Sequence, residues 1–201
     1  MNKNKEILLK YLPSDTIDII LEWIIKNNVN LKITKKRNTK TGDFRADRRN
    51  NIYKISINND LNKYSFLITL VHEFAHLEVW KKYKNSVKPH GAEWKKTYKD
   101  LLSVFIDNGI FPDDIFSVLV QHIKNPKASS CSDIQLCKVL KKYDINDHSI
   151  FLEDLPPNSV FRLENGKTFK KQEKIKKRYK CICLNNNKKY LVNSIAKVLP
   201  V

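Results

Sequence analysis

Phe66-Leu67-Ile68-Thr69-Leu70-Val71-His72-Glu73-Phe74-Ala75-His76-Leu77 is the stretch on which the fold of this chain turns. Phe66, Leu67, Leu70, Phe74, Leu77 and Trp80 recur at three- and four-residue steps, which predicts a helix with one face in a core. No Gly or Pro interrupts it before Pro89. His72 and His76 are four apart, so on a helix they stand one above the other and both imidazoles can converge on one ion. Glu73 falls beside them. Zinc held by three protein ligands keeps a fourth position for water and brings that water's pKa to about 7, and a neighbouring carboxylate can take its proton. The competing reading is two ordinary histidines on a partly buried helix; the apolar flanks and a third histidine downstream weigh against it.

That third histidine is His90, in His90-Gly91-Ala92-Glu93-Trp94, after the polar connection Lys81 to Lys88 and Pro89. Gly91 is expected to let the backbone turn sharply. Ala92 to Phe105 then reads as a second helix with Trp94, Tyr98, Leu101, Leu102 and Phe105 toward the core. A helix hairpin of this kind returns His90 to the metal. Glu93 is a rival third ligand, and His90 is preferred. The extended motif with a Gly soon after the second His is absent, because Val79 and Trp80 stand where its turn is needed.

Upstream, a helix broken at Pro13 resumes at Ser14, the expected N-cap, and runs to about Asn28. Leu31 to Arg37 and Ile52 to Asn58 alternate as strands, joined by a basic loop around Gly42. Pro112 opens a further helix, Asp113 to Ile123, and Ser132 to Tyr143 forms another. After Leu155-Pro156-Pro157-Asn158, read as a linker, the pattern changes to short strands: Val160 to Leu163, Thr168 to Gln172, Ile175 to Leu184, Tyr190 to Val192 and Ala196 to Val198. Their turn signals include Glu164-Asn165-Gly166. The organisation expected is therefore an α+β domain over 1–150, with a small antiparallel sheet beside the motif helix, and a basic all-β module over 158–201. The four cysteines, Cys131, Cys137, Cys181 and Cys183, lack the knuckle spacing of zinc ribbons and are read as reduced thiols. His122 and His148 are set aside as structural or surface residues.

At 201 residues and 41% hydrophobic content the chain can bury one sizeable core plus a small module. No apolar run approaches the ~20 residues needed to span a membrane, and the N-terminus shows no secretory signal; the expected location is cytoplasmic, with association to the nucleoid allowed by the charge. That charge is +17, with a pI near 9.7, which favours polyanionic partners. It concentrates in Lys35, Lys36, Arg37, Arg45, Arg48 and Arg49 before the motif helix. A second cluster, Lys170, Lys171, Lys174, Lys176, Lys177 and Arg178, interleaves with Phe169 and Tyr179. Cations among aromatics suit phosphate contacts and base stacking, so both clusters are candidate contacts to DNA, single-stranded or structured. A solvated surface in a Lys- and Asn-rich chain is the plainer alternative.

HEFAH preceded by Ser-Phe-Leu-Ile-Thr-Leu-Val, then His-Gly-Ala-Glu-Trp-Lys, with Gly42-Asp43-Phe44-Arg45 and Ile55-Ser-Ile-Asn58 upstream, resembles the SprT-like metalloprotease domain over about residues 10 to 110. That family includes bacterial SprT proteins and the eukaryotic Spartan protease, which degrades proteins crosslinked to DNA. The resemblance implies a zincin-like domain, one catalytic zinc on His72, His76 and His90, Glu73 as general base, and protein substrates associated with DNA. It also implies a small antiparallel sheet beside the cleft. Members often continue into a zinc ribbon with paired CxxC motifs, which this chain lacks. A nucleic-acid-binding protein with a structural zinc is the alternative.

Overall fold

A computed structural model describes residues 3–47, 52–127, 133–145 and 147–201. Its backbone separates into two compact units, Met1–Ile145 and Asn146–Val201.

In the first unit, helices α1 (Lys3–Leu9) and α2 (Ile17–Lys26) flank Pro13, with a 3-10 turn, Ser14–Thr16, leading into α2. Ser14 does not cap: its hydroxyl turns to the Asp15 carboxylate at 3.0 Å, while Thr16 at the helix start donates to the Pro13 carbonyl at 2.7 Å. Strands β1 (Val29–Thr34), β2 (Gly42–Asp47) and β3 (Ile52–Asn58) form a sheet in the order β1-β3-β2. This sheet is mixed, which corrects the antiparallel expectation. Gly42–Asp47 is itself a strand; it makes the antiparallel return beside β3, so β1 and β3 run in the same direction and pair in parallel. Parallel neighbours need an intervening crossover, and here β2 lies within it.

The motif helix is α3 (Lys63–Tyr83), followed by α4 (Ala92–Asp107), α5 (Asp113–His122) and α6 (Ile134–Lys141). Six consecutive residues, Phe66 to Val71, are buried, more than one helix face can supply, because α3 packs against β2 and β3 as well as α4. Trp23 of α2 sits edge-on to Phe74 and to Phe105, each at 5.4 Å between ring centres, and Tyr53 of β3 meets Trp80 edge-on at 5.6 Å. Asn62 anchors the start of α3. Its carbonyl oxygen accepts from the Ser65 N–H at 2.9 Å, and its amide donates to the Leu140 carbonyl at 2.9 Å and the Asp144 carboxylate at 2.6 Å, so one cap also fixes the end of α6. Among the described residues no helix is long and apolar enough to cross a membrane.

The second unit is a six-stranded antiparallel sheet of β4 (Ile150–Phe151), β5 (Val160–Arg162), β6 (Thr168–Ile175), β7 (Arg178–Cys183), β8 (Lys189–Asn193) and β9 (Lys197–Pro200), in the order β4-β9-β5-β6-β7-β8. Strand β4 precedes Pro156 and Pro157, which therefore lie inside the unit. Gly166, at φ +80°, makes the tight turn between β5 and β6 that other residues adopt only under strain. Phe161, Phe169, Cys181, Cys183 and Val198 fill the core. Cys181 and Cys183 are free, buried thiols and Cys137 lies on α6; Cys131 lies outside the described residues.

Candidate metal centre

His72 and His76 project from one side of α3, and the connection to α4 delivers His90 to the same point. The Nε2 atoms of the three rings lie 3.0–3.1 Å from one another. Burial holds the His72 imidazole down at about 3 and His76 at about 4, His76 and His90 adding repulsion on His72 and His90 adding it on His76; His90 is lowered by burial too. The rings are thus neutral at ordinary pH, with three nitrogens crowded together. Neutral imidazoles meeting through lone pairs repel unless a cation stands between them, and a triangle of this size can have all its corners about 2.0–2.1 Å from one point, the zinc–imidazole distance. The residues fit a metal ion, and this triad is the group that can hold one among the described residues. Glu93, the rival ligand, lies outside it.

The turn at His90 differs from expectation in one detail. His90 itself takes the left-handed conformation, φ +57°, while Gly91 is extended and begins α4. A side chain on Gly91 would stand 3.0 Å from the Lys88 carbonyl, so glycine is needed there for close approach rather than for φ. Trp94, one turn into α4, backs all three histidines, with ring-centre distances of 4.6 Å to His72, 5.4 Å to His76 and 4.7 Å to His90. Trp94 in turn stacks on Tyr98 at 4.9 Å.

Glu73 is 6% exposed. Burial, reinforced by Asp43, pushes its carboxyl up to about 8, against the pull of Arg37, Lys40 and a hydrogen bond donated by the Phe44 N–H. Strand β2 comes close enough to give that bond because Gly42 has no side chain; a Cβ there would run into the Glu73 carboxylate and stand 2.8 Å from Thr69 Cγ2. In front of Glu73 opens a cavity of about 390 Å³ lined by Thr41, Phe44, His72, Tyr98 and His122. A second, of about 320 Å³, is walled by Trp80, Val87 and Trp94. The two share Phe44, His76 and His90, so a groove runs across the triad. Tyr98 lines this groove, whereas Tyr64 packs on Phe111 and Tyr143. Burial raises the Tyr98 phenol and keeps it a donor. His122, set aside from the sequence, is buried and lines the same cavity.

The basic residues are sorted by their partners. Lys35 is exposed and Lys36 lies 3.9 Å from Asp60. Arg37 is a structural residue: its guanidinium donates to the Asn58 side chain at 2.8 Å and the Ser56 hydroxyl at 3.0 Å. Arg45 pairs with Asp43 at 2.7 Å, and Arg48 and Arg49 lie outside the described residues. In the second unit, Lys170, Lys174, Lys176, Lys177 and Arg178 are exposed. Lys171 is not available to a partner. It is 3% exposed, donates to the Glu153 and Leu155 carbonyls, and lies 4.1 Å over the Tyr179 ring.

A mixed sheet packed on a long helix that presents two imidazoles and a buried carboxyl, with a third imidazole converging from the connection that follows, defines a candidate mononuclear metalloprotein. Residues 16–111 match the model of the SprT-like family, which is generally a family of zinc metallopeptidases. The match contains the triad and Glu73 and ends before His122 and the second unit. No curated protein and no solved structure shows significant similarity to the chain.

Proposed function

We propose that the protein is a zinc-dependent endopeptidase acting on polypeptide held at or near DNA. The observation that carries the hydrolytic part is the convergence of three neutral imidazoles beside the buried Glu73, where two cavities share His76 and His90 as lining. His72, His76 and His90 would hold a zinc ion, which would supply Lewis acidity, lowering the pKa of a water to about 7, polarising a carbonyl and favouring the ionised form of Glu73. Glu73 accepts the proton of the attacking water and returns it to the leaving amine. The Phe44 N–H, on the strand facing this helix, favours the carboxylate form of Glu73.

Strand β2 is an edge strand. Because the Phe44 N–H points to Glu73 rather than to β3, the backbone groups of Gly42, Phe44 and Ala46 share that outward side. An extended substrate segment can add to this edge by main-chain hydrogen bonds, which favours loosely folded polypeptide and leaves side-chain identity weakly specified. The DNA part of the reading is supported by the charge of +17 and by the exposed Lys170, Lys174, Lys176, Lys177 and Arg178.

The test is proteolysis of a loosely folded DNA-binding protein by the zinc-loaded chain, with and without single-stranded DNA, beside Glu73→Gln. Cleavage that needs both Glu73 and DNA is the expected result, with zinc content equal in the two proteins. Cleavage retained by Glu73→Gln sinks the mechanism. Tight, salt-sensitive DNA binding without any cleavage establishes instead a binding protein with a structural zinc.

A further inference from the structure

Residues paired directly across neighbouring strands share a face of the sheet, and the ladder of the second unit sorts its side chains accordingly. Phe161, Phe169 and Cys183 form one cross-strand row on the core side. The adjacent row, Val160, Lys170, Ile182 and Lys189, therefore faces outward. Arg162 with Leu199, and Lys180 with Leu191, share that outer face. The four aliphatic residues pack into neither core, and Leu191 and Leu199 are 52% and 41% exposed. Each of these cations stands across from an aliphatic neighbour, Lys170 between Val160 and Ile182. Among the described residues no ladder pair of this sheet contains a carboxylate. Glu173 falls in the bulge of β6 and takes the Lys180 ammonium at 2.8 Å, while Arg162 and Lys170 have no acidic partner among the described residues.

The aromatic rings lie on the other side. Phe161 stacks on Phe169 at 5.6 Å, Tyr190 is edge-on to Phe169 at 5.6 Å, and Tyr179 sits under the Lys171 ammonium. Strand alternation thus separates the cations and aromatics that interleave in sequence, and these outer rows offer a nucleic-acid base no ring to stack on. Single exposed leucines are ordinary, but aliphatics set in register among cations make a surface with two demands. Phosphates answer the charge and leave the aliphatics wet. A second copy of this chain covers the aliphatics and sets like charges against each other. A polypeptide that alternates acidic and large apolar side chains answers both.

We infer that the outer face of the second unit is a docking surface for an acidic, apolar-studded polypeptide segment of a partner protein. Val160, Ile182, Leu191 and Leu199 take its apolar side chains; Arg162, Lys170 and Lys189 take its carboxylates. Lys176 and Lys177 occupy the turn between β6 and β7, beyond these rows, so docking here is compatible with a DNA contact at the turn. The inference stands independently of the peptidase reading.

The experiment measures fluorescence anisotropy of short labelled peptides on the full chain. One peptide alternates Glu with Leu and Phe, a second has Ser at the apolar positions, and a third has Gln for Glu; single-stranded DNA is the fourth probe. Wild type is compared with Leu191→Ser/Leu199→Ser, Arg162→Gln/Lys189→Gln and Lys176→Gln/Lys177→Gln, with Tm and sedimentation for each. Wild type is expected to bind the acidic, apolar peptide roughly 10-fold more tightly than either control peptide. The leucine pair and the Arg162/Lys189 pair should each weaken it by roughly 10-fold, and the turn pair should leave it unchanged. Tm should hold, because Leu191 and Leu199 pack in neither core, and DNA affinity should not respond to the leucine pair. Equal affinity for the serine peptide makes the face a charge surface only and overturns the inference, as does DNA binding that falls with the leucine pair. A dimer that the leucine pair dissociates replaces the partner protein by a second copy and overturns it too. No binding of the acidic, apolar peptide by wild type overturns it outright.

Discussion

Two kinds of residue at the centre, half-buried imidazoles and a buried carboxyl, pull protonation in opposite directions. His72 and His76 are held near 3 and 4, below the 6.5 of an unfolded imidazole, so the unfolded chain binds more protons than the folded one below pH 6.5. Their contribution is complete above that pH and is lost as pH falls. Glu73, at about 8 against 4.5 unfolded, is the reverse: the folded state keeps a proton that the unfolded state releases, so its contribution is complete below pH 4.5 and is lost as pH rises toward 8. With the metal removed by chelation, the imidazoles outweigh the carboxyl between pH 4.5 and 6.5, and Glu73 acts without them above it. The metal-free protein should therefore be most stable near pH 6.5 and lose roughly 1.4 kcal/mol per pH unit above it. Thermal melts in chelator from pH 5 to 8 should show that maximum, and Glu73→Gln should remove the decline on its alkaline side. A wild-type Tm that is flat from 6.5 to 8 would contradict the buried, proton-holding Glu73. At this scale the sequence displayed the triad and Glu73, because helical spacing alone brings His72 and His76 together. It did not display His122. The local run Val120-Gln121-His122-Ile123 gives no sign that α5 ends on the cleft wall, and its partner Asp133 is on another helix.

Among the elements, the pairing of β2 with α3 decides how well Glu73 is aimed. Helix α3 could be read from its periodicity, and β3 from its alternation of apolar residues. β2 was missed because only Phe44 and Ala46 alternate within a charged stretch. What makes it a strand is external: its ladder with β3, the Asn58 side chain, whose amide donates to the carbonyls of Arg37 and Lys40, and its approach to α3 at Gly42. The parallel pairing of β1 with β3 had no local signature either, since direction follows from the route of the chain. Gly42→Ala should force β2 and Glu73 apart. The expected outcome is a destabilisation of about 1–3 kcal/mol from overpacking, together with a fall in kcat larger than that loss of folded protein explains. Zinc stoichiometry should be unchanged, because the histidines are anchored from α3 and α4. Activity equal to wild type in Gly42→Ala would show that the strand tolerates displacement and that its contact does not position the carboxylate.

For the whole molecule, the question is which of its many cations meet a polyanion. Net charge read along the sequence overstates the available surface, since Arg37 is bound to Asn58 and Ser56, Arg45 to Asp43, and Lys171 to two carbonyls under a ring. Lys171 was legible in principle: it is two residues from Phe169 in β6, so strand alternation puts it on the buried face with Phe169 and not on the exposed face with Lys170. The two neighbours should then separate experimentally. In the full chain, replacing Lys170, Lys176, Lys177 and Arg178 together by Gln should weaken single-stranded DNA binding and flatten the plot of log K against log salt, by about 0.7 for each phosphate contact removed. Lys171→Gln should leave that slope alone and instead lower the melting of the second unit, because two carbonyls lose their donor and Tyr179 its cation. A slope unaltered by the four exposed changes would remove the second unit from the DNA surface and place the salt-sensitive contacts, if binding persists, on the first.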